Sequence, residues 1–334
     1  MEAKKLRIVF MGTPEFAVPS LEALVKGGYK VVAVVTMPDK PAGRGQKLRE
    51  SEVKIAAREM GLPVLQPEKL RDPEFLTALR ALQPDLGIVI AFRMLPEAVW
   101  ALPRLGTFNL HASLLPQYRG AAPINWALIN GETCTGVTTF LLNHEIDKGA
   151  ILAQRTEPIR PDDNAGTLYE RLMRIGAELV TQTVERIAAG DLQPVEQSPA
   201  GEETLCPAPK IFRENCEIDW SETGERIVNL VRGLAPYPAA WTTIRLDGEE
   251  IATIKIYEAH FEPGCGYGSC GTICSDGRSF LSVRCRDGAV GIESLQMAGK
   301  RRMQAREWLA GFRDPEQYRF GNCLLYTSDA ADDK

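Results

Sequence analysis

The sequence contains few of the residues and motifs that mark several common classes of protein. Only three of its 334 residues are histidines (His111, His144 and His260), so few side chains could serve as an acid or base near neutral pH. No apolar run approaches the ~18 residues of a membrane span. The first residues lack the apolar stretch and the small-residue cleavage site of a secretory signal. We therefore expect a cytoplasmic protein.

The eight cysteines include no Cys-x-x-Cys pair. Its absence argues against a zinc ribbon and against a dithiol redox site. Cys265, Cys270, Cys274 and Cys285 lie close together in the sequence, but their spacing is not that of the usual metal ligands. Reduced, partly buried thiols are the simpler expectation, and we predict no bound metal.

Nucleotide-binding loops are also missing. Gly12 follows the first apolar run, but Thr13 and Pro14 stand where a dinucleotide fingerprint requires further glycines. No Gly-Lys-Ser/Thr phosphate loop occurs, so a dinucleotide-dependent oxidoreductase is a distant alternative. The net charge of -5 excludes a basic surface overall, and any contact with RNA must rely on local basic clusters.

The order of apolar and amphipathic segments predicts two domains. Short apolar runs alternate with helical patterns through residues 1–197, which favours a Rossmann-like, mostly parallel sheet with helices on both faces. Residues 198–209 are rich in Pro, Gly, Glu and Ala and are interpreted as a linker. Residues 210–320 contain short strand-like runs separated by Asp-Gly turns, which predict a small, OB-like β-barrel. Residues 321–334 lack this periodicity and are expected to be a non-native or disordered tail.

The most specific chemical signal is Asn109-x-His111, at the end of the apolar run 107–111. Residues two apart on a strand share a face, and the carboxyl ends of strands are where open α/β sheets bind ligands. An amide and an imidazole on one face could donate hydrogen bonds to a developing oxyanion. Asp147, before Lys148-Gly149, could orient the imidazole or accept a proton. The alternatives are a satisfied core histidine, a turn asparagine and a solvated turn aspartate.

Around these residues the sequence resembles the folate-dependent formyltransferases. The resemblance rests on Asn109-x-His111, on residues 113–124 (Ser-Leu-Leu-Pro-Gln-Tyr-Arg-Gly-Ala-Ala-Pro-Ile) and on the later Asp-x-Gly. Four further segments resemble the branch of that family that acts on methionyl-tRNA. They are residues 6–19, 38–45, 210–220 and 236–241. The resemblance runs from about residue 5 to residue 320. Residues 91–96 and 143–148 depart from the family pattern.

The resemblance implies a function and a set of site residues. The implied reaction moves a formyl group from 10-formyltetrahydrofolate to the α-amino group of methionine on initiator tRNA, without a metal and in a monomer. Asn109, His111 and Asp147 would be the catalytic residues. The implied folate-binding residues are Ile88, Ala91, Phe92, Ser113, Leu114, Leu115, Pro116 and Asn143. The expected tRNA-binding residues are basic and fall in two clusters: Lys40, Arg44, Lys47 and Arg49, and Lys300, Arg301 and Arg302.

Two other functions remain open at this level. A sister enzyme could formylate a small amine, such as glycinamide ribonucleotide or an amino-sugar nucleotide. The basic Gly-Arg-Gly loop at residues 43–45 and the second domain argue against that reading. A non-catalytic RNA-binding relative is the other alternative, and the intact Asn109, His111 and Asp147 set argues against it.

Overall fold

The computed structural model describes residues 2–42, 47–197, 205–264 and 268–321. These residues fall into two compact units. The first is drawn from Met1–Ile124, Thr133–Arg160 and Thr167–Pro209, and the second from Asn125–Glu132, Pro161–Gly166 and Lys210–Lys334. Arg44, Cys265, Cys323, residues 198–204 of the predicted linker and residues 322–334 of the predicted tail lie outside the described residues.

The first unit combines a sheet with helices. Its strands are β1 (Ile8–Gly12), β2 (Val31–Val35), β3 (Lys40–Ala42), β4 (Lys47–Arg49), β5 (Val64–Leu65), β6 (Leu86–Ile90), β7 (Thr107–His111), β8 (Cys134–Leu141) and β9 (Ile151–Pro158). The helices are α1 (Val18–Lys26), α2 (Glu52–Glu59), α3 (Pro73–Ala81), α4 (Glu97–Trp100), α5 (Pro123–Ile129) and α6 (Ala165–Ala189), of which α5 and α6 begin or end in the second unit. Among the described residues, no helix is long and apolar enough to cross a membrane.

Seven of these strands form one sheet in the order β5-β2-β1-β6-β7-β8-β9. The first five are parallel, and β8 and β9 are antiparallel to their neighbours. Connections through helices return the chain in the same direction, whereas residues 142–150 join β8 to β9 without a helix. The strand order reverses between β1 and β6, which is the position where such sheets bind ligands.

Helices cover both faces of this sheet. On one face, Val9 and Val89 pack with Phe75 and Leu79 of α3 and Val99 of α4. On the other face, Leu110 of β7 meets α6 at Gly176, where an added Cβ would lie 2.7 Å from the leucine side chain. The strands β1 and β6 are buried along their whole length because both faces are covered. The predicted mostly parallel α/β fold is confirmed.

The second unit is mainly antiparallel β structure. Its strands are β10 (Ala240–Leu246), β11 (Glu249–Pro263), β12 (Ile273–Ser275), β13 (Leu281–Arg284), β14 (Gly288–Met297), β15 (Met303–Gln304) and β16 (Tyr318–Phe320), and its own helices are α7 (Gly224–Leu234) and α8 (Ala305–Ala310). The main sheet runs β12-β13-β14-β11-β10-β16, and a bridge between Thr272 and Arg319 joins its two edges. The predicted β-barrel is therefore confirmed.

The barrel interior holds the apolar residues of every strand. Its largest buried members include Trp220, Trp308 and Phe320, with Ile254 and Leu295 from the two central strands. β11 is the longest strand of the described residues because it pairs first with β10 and then, past irregularities at residues 256–259, with β14. Asp247 and Gly248, both with positive φ, make the predicted turn between β10 and β11.

Candidate active site

Asn109 lies in the middle of β7, between Val89 of β6 and Phe140 of β8. Its side-chain Oδ1 is buried and accepts no hydrogen bond from the described residues. A buried polar atom without a partner costs about 1–3 kcal/mol. Oδ1 is therefore available to a donor that the described residues do not supply, such as an N–H of a ligand.

His111 ends β7 on the same face as Asn109, as the strand alternation predicts. Its imidazole is 7% exposed and packs edge-on against Phe140 at 6.5 Å between ring centroids. Nε2 lies 2.9 Å from the backbone oxygen of Tyr118. Because a carbonyl oxygen only accepts, Nε2 must bear the proton of this bond. In the neutral ring, Nδ1 is then the nitrogen with a lone pair available for chemistry.

The loop after β7, residues 112–122, is held by polar contacts to β8 and β9. The Thr138 hydroxyl donates to the Ser113 carbonyl at 2.6 Å and accepts from the Leu115 N–H at 3.1 Å. Gln154 donates to the Leu115 carbonyl at 2.8 Å. The Ser113 hydroxyl donates to the Gln117 carbonyl at 2.6 Å. These contacts fix the loop beside His111 although it has no regular secondary structure.

Gly120 closes the loop in a conformation that suits glycine. Its φ is +131°, and an added Cβ would lie 2.3 Å from the backbone oxygen of Ala208. The closeness follows from pairing of the loop with residues 206–208: Tyr118 N–H donates to the Cys206 carbonyl, and Ala121 N–H donates to the Ala208 carbonyl. Residues just before the second unit therefore form part of the wall of the site.

Asp147 lies between β8 and β9 with φ of +54°. Its Oδ2 accepts a hydrogen bond from Gly120 N–H at 3.0 Å. The Asp-x-Gly spacing has a steric reason, because a Cβ on Gly149 would lie 1.6 Å from the Leu141 carbonyl oxygen. Within the described chain no ion pair joins Asp147 to His111. The two residues instead bind the same loop, His111 at Tyr118 and Asp147 at Gly120.

The residues that the resemblance assigns to folate binding fall into two groups. Ile88, Ser113 and Leu115 are at most 3% exposed, so they pack inside the unit and offer almost no surface to a ligand. The other five, which keep some exposed surface, are Ala91, Phe92, Leu114, Pro116 and Asn143. Ala91 has φ of +47° directly after β6.

The basic residues assigned to tRNA binding differ in the ion pairs that they form. Lys40 is exposed, Arg49 pairs with Glu52 at 2.8 Å, and nothing is described of Arg44 or of the Lys47 side chain.

In the second cluster, Lys300 and Arg301 are exposed, and Arg301 forms an ion pair with Glu307 at 3.0 Å. Arg302 binds within its own unit. Its guanidinium donates to Ser294 at 2.8 Å and to Glu258 at 2.6 Å and lies over the Tyr257 ring.

Two polar side chains in this region were missed by sequence reasoning. Arg119 donates through Nε and Nη2 to Gln197 Oε1 at 3.1 and 2.8 Å. Gln197 in turn donates to the carbonyls of Asp147 and Gly149 at 2.9 and 2.8 Å. Gln197 is 78 residues from Arg119 and 50 from Asp147, and no local pattern relates positions so far apart.

Within the described ranges, six cysteines are free thiols: Cys134, Cys206, Cys216, Cys270, Cys274 and Cys285. Burial raises the pKa of the Cys216 and Cys285 thiols. No group of three His, Cys, Asp or Glu side chains is arranged there to hold a metal ion.

Asn109 and His111 thus share a face of β7, and His111 and Asp147 bind one loop, in an α/β unit that is followed in the chain by a β-barrel. Residues 6–184 match the family described as formyl transferase, and residues 210–313 match the C-terminal domain of formyl transferase. The chain therefore belongs to the formyl transferase family.

One relative indicates which member of this family the chain resembles. The chain is 55% identical over 325 residues to methionyl-tRNA formyltransferase of Parabacteroides distasonis, covering 96% of this chain and 100% of that one. Like this relative, the chain is an enzyme that transfers formyl groups.

Solved structures share the fold at lower identity. The N-formyltransferase from Helicobacter canadensis, in complex with folinic acid and dTDP-3-aminofucose, is 21% identical with a TM-score of 0.62, covering 86% of this chain and 98% of that one. HypX from Aquifex aeolicus, in complex with tetrahydrofolic acid, is 21% identical with a TM-score of 0.59, covering 91% of this chain and 47% of that one. This chain thus spans about half the length of HypX.

Proposed function

We propose that this chain transfers the formyl group of 10-formyltetrahydrofolate to the α-amino group of methionine on initiator tRNA. The near full-length similarity to methionyl-tRNA formyltransferase supports the acceptor. The observation that carries the chemistry is that Asn109 shares a face of β7 with His111 and that its buried Oδ1 has no partner among the described residues.

Formyl transfer to an amine creates two needs that these side chains can meet. Negative charge develops on the formyl oxygen as the amine adds, and a proton must pass from the attacking nitrogen to the folate nitrogen that leaves. Nδ2 of Asn109 can donate to that oxygen, and its buried Oδ1, which has no partner among the described residues, can accept an N–H of the attacking amine. Nδ1 of His111 can accept the proton, because Nε2 is occupied by the Tyr118 carbonyl.

Asp147 acts with His111 through the loop rather than by direct contact. Its carboxylate accepts a hydrogen bond from Gly120 N–H, on the loop whose Tyr118 carbonyl binds His111. In this proposal Asp147 helps to hold that loop, and with it His111, in place and, through a water molecule, assists proton transfer to the leaving nitrogen.

We propose that the pterin of the folate lies against the exposed residues of the implied set. Phe92, Leu114 and Pro116 offer apolar surface, and Ala91 and Asn143 offer polar backbone or side-chain groups. Ile88, Ser113 and Leu115 support this wall from beneath. Aromatic and aliphatic walls with a few polar groups are typical of sites for flat heterocycles.

We propose that the tRNA binds through exposed basic side chains. Exposed Lys40 belongs to one contact, and exposed Lys300 and Arg301 belong to the other. Exposed cations, including Arg301 in its surface ion pair with Glu307, can neutralise phosphates at little cost to the fold, and this electrostatic contribution to binding is sensitive to salt.

The test supplies the purified chain with 10-formyltetrahydrofolate and initiator tRNA charged with methionine, and measures formylmethionyl-tRNA. Glycinamide ribonucleotide and an amino-sugar nucleotide are offered as competing acceptors. His111→Ala is expected to lose at least about 10²-fold in kcat while binding folate. Preference for either small acceptor, or undiminished turnover in His111→Ala, would contradict the proposal.

A further inference from the structure

Gln197 uses both ends of its side-chain amide to join two loops of the first unit. Its Nε2 donates to the backbone carbonyls of Asp147 and Gly149, at 2.9 and 2.8 Å. Its Oε1 accepts two hydrogen bonds from the Arg119 guanidinium, at 3.1 and 2.8 Å. Four hydrogen bonds on one part-buried amide define its position and its orientation, because reversing the amide would break all four.

The backbone that Gln197 holds is one that would not adopt its conformation without support. Asp147 has a left-handed φ of +54°, which is unfavourable for a residue with a side chain. The two carbonyls bound by Gln197 lie on either side of Lys148, so a single donor fixes both peptide planes of the turn. Fixing these planes fixes the direction in which the Asp147 side chain leaves the backbone.

The contacts also close into a ring. Asp147 Oδ2 binds Gly120 N–H, Gly120 follows Arg119 in the chain, Arg119 binds Gln197, and Gln197 binds the Asp147 carbonyl. This ring restrains Asp147 at two points, because Gln197 binds its backbone carbonyl and Gly120 binds its carboxylate. Loss of one member would leave the carboxylate free to rotate away from the loop that also binds His111.

We propose that Gln197 is a positioning residue for formyl transfer, which it assists by holding Asp147 in its working orientation. This inference rests on the proposed function of the site. Misplacement of a catalytic group by about 1 Å can cost about 10²-fold in rate without affecting substrate binding. A positioning role therefore predicts a change in kcat that leaves KM nearly unchanged.

The two ends of the amide can be separated by substitution. Gln197→Glu keeps an oxygen for Arg119 and adds a favourable charge to that contact. It also replaces the donor to Asp147 and Gly149 by an oxygen that repels their carbonyls. Gln197→Met preserves the side-chain length but removes both contacts. Gln182→Glu, at an exposed position of α6, is the control for the added charge in the same unit.

The measurements are kcat, KM for folate and KM for methionyl-tRNA, with thermal unfolding as the check on folding. We expect Gln197→Glu and Gln197→Met to lose about 10- to 100-fold in kcat. Both KM values should stay within about threefold, and Gln182→Glu should match the wild type. Wild-type kcat in Gln197→Glu would overturn the inference, since it would mean that only the Arg119 contact matters. A loss expressed in KM alone would also overturn it. Failure of the proposed function is distinguishable, because the wild type itself would then not formylate methionyl-tRNA.

Discussion

Replacing Asn109 by alanine should slow the enzyme without destabilising it. The substitution removes a buried oxygen that has no partner among the described residues, and relief of that cost is worth about 1–3 kcal/mol. Against this stands the loss of packing by a small amide that is only partly buried, about 1 kcal/mol. The free energy of unfolding is therefore expected to stay level or rise by up to about 2 kcal/mol. Each kcal/mol corresponds to a rise in Tm of roughly 2–4 °C.

The rate should change in the opposite sense. Removing one donor to a developing oxyanion costs about 10²- to 10³-fold in kcat, or about 3–4 kcal/mol of barrier. The assay pairs initial rates of methionyl-tRNA formylation with thermal unfolding of the same preparation. Thr183→Ala is the matched control: this buried hydroxyl is satisfied by Thr139 and Leu179, so its loss should lower Tm and leave kcat unchanged. A fall in Tm with near-normal kcat in Asn109→Ala would refute the reasoning and make Asn109 a structural residue.

Four further substitutions test the site, the barrel and the pH response. Gly120→Ala should lower both Tm and kcat, the latter by about 10²-fold, because the added Cβ meets a backbone oxygen at 2.3 Å and moves the N–H that binds the Asp147 carboxylate. Lys300→Ala should raise the KM for tRNA and reduce the salt dependence of that KM, without changing Tm. Arg302→Ala should instead lower Tm, because Arg302 binds Ser294 and Glu258. If the two variants behave alike, the assignment of Lys300 to tRNA binding and of Arg302 to the fold is contradicted. Burial and the hydrogen bond to Glu185 raise the pKa of Tyr29 from 10.0 to about 12. The neutral phenol therefore contributes its full stabilisation of the fold below pH 10, and this contribution is lost as the pH rises towards 12. Tyr29→Phe should make the fall in Tm over that interval shallower, and an unchanged slope would count against this assignment.

The sequence by itself determined the features that depend on neighbouring residues. The five parallel strands were predicted from short apolar runs, because strand formation responds to composition over a few positions. The turn at Asp247-Gly248 followed from the backbone freedom of those residue types. The placement of Asn109 and His111 on one face followed from the two-residue period of a strand. The motif in residues 113–124 gave the family.

Only the tertiary structure decided how distant parts of the chain meet. No pattern indicated that Gln197 would bind the Asp147 turn or that residues 206–208 would pair with the loop at Gly120. Nor did the sequence indicate that Arg302 would bind Glu258, 44 positions away. Local periodicity is encoded within a few residues, but these contacts join residues more than 40 positions apart. They exist only once the sheet, the helices and the barrel have packed, because packing is what brings such groups within hydrogen-bonding distance.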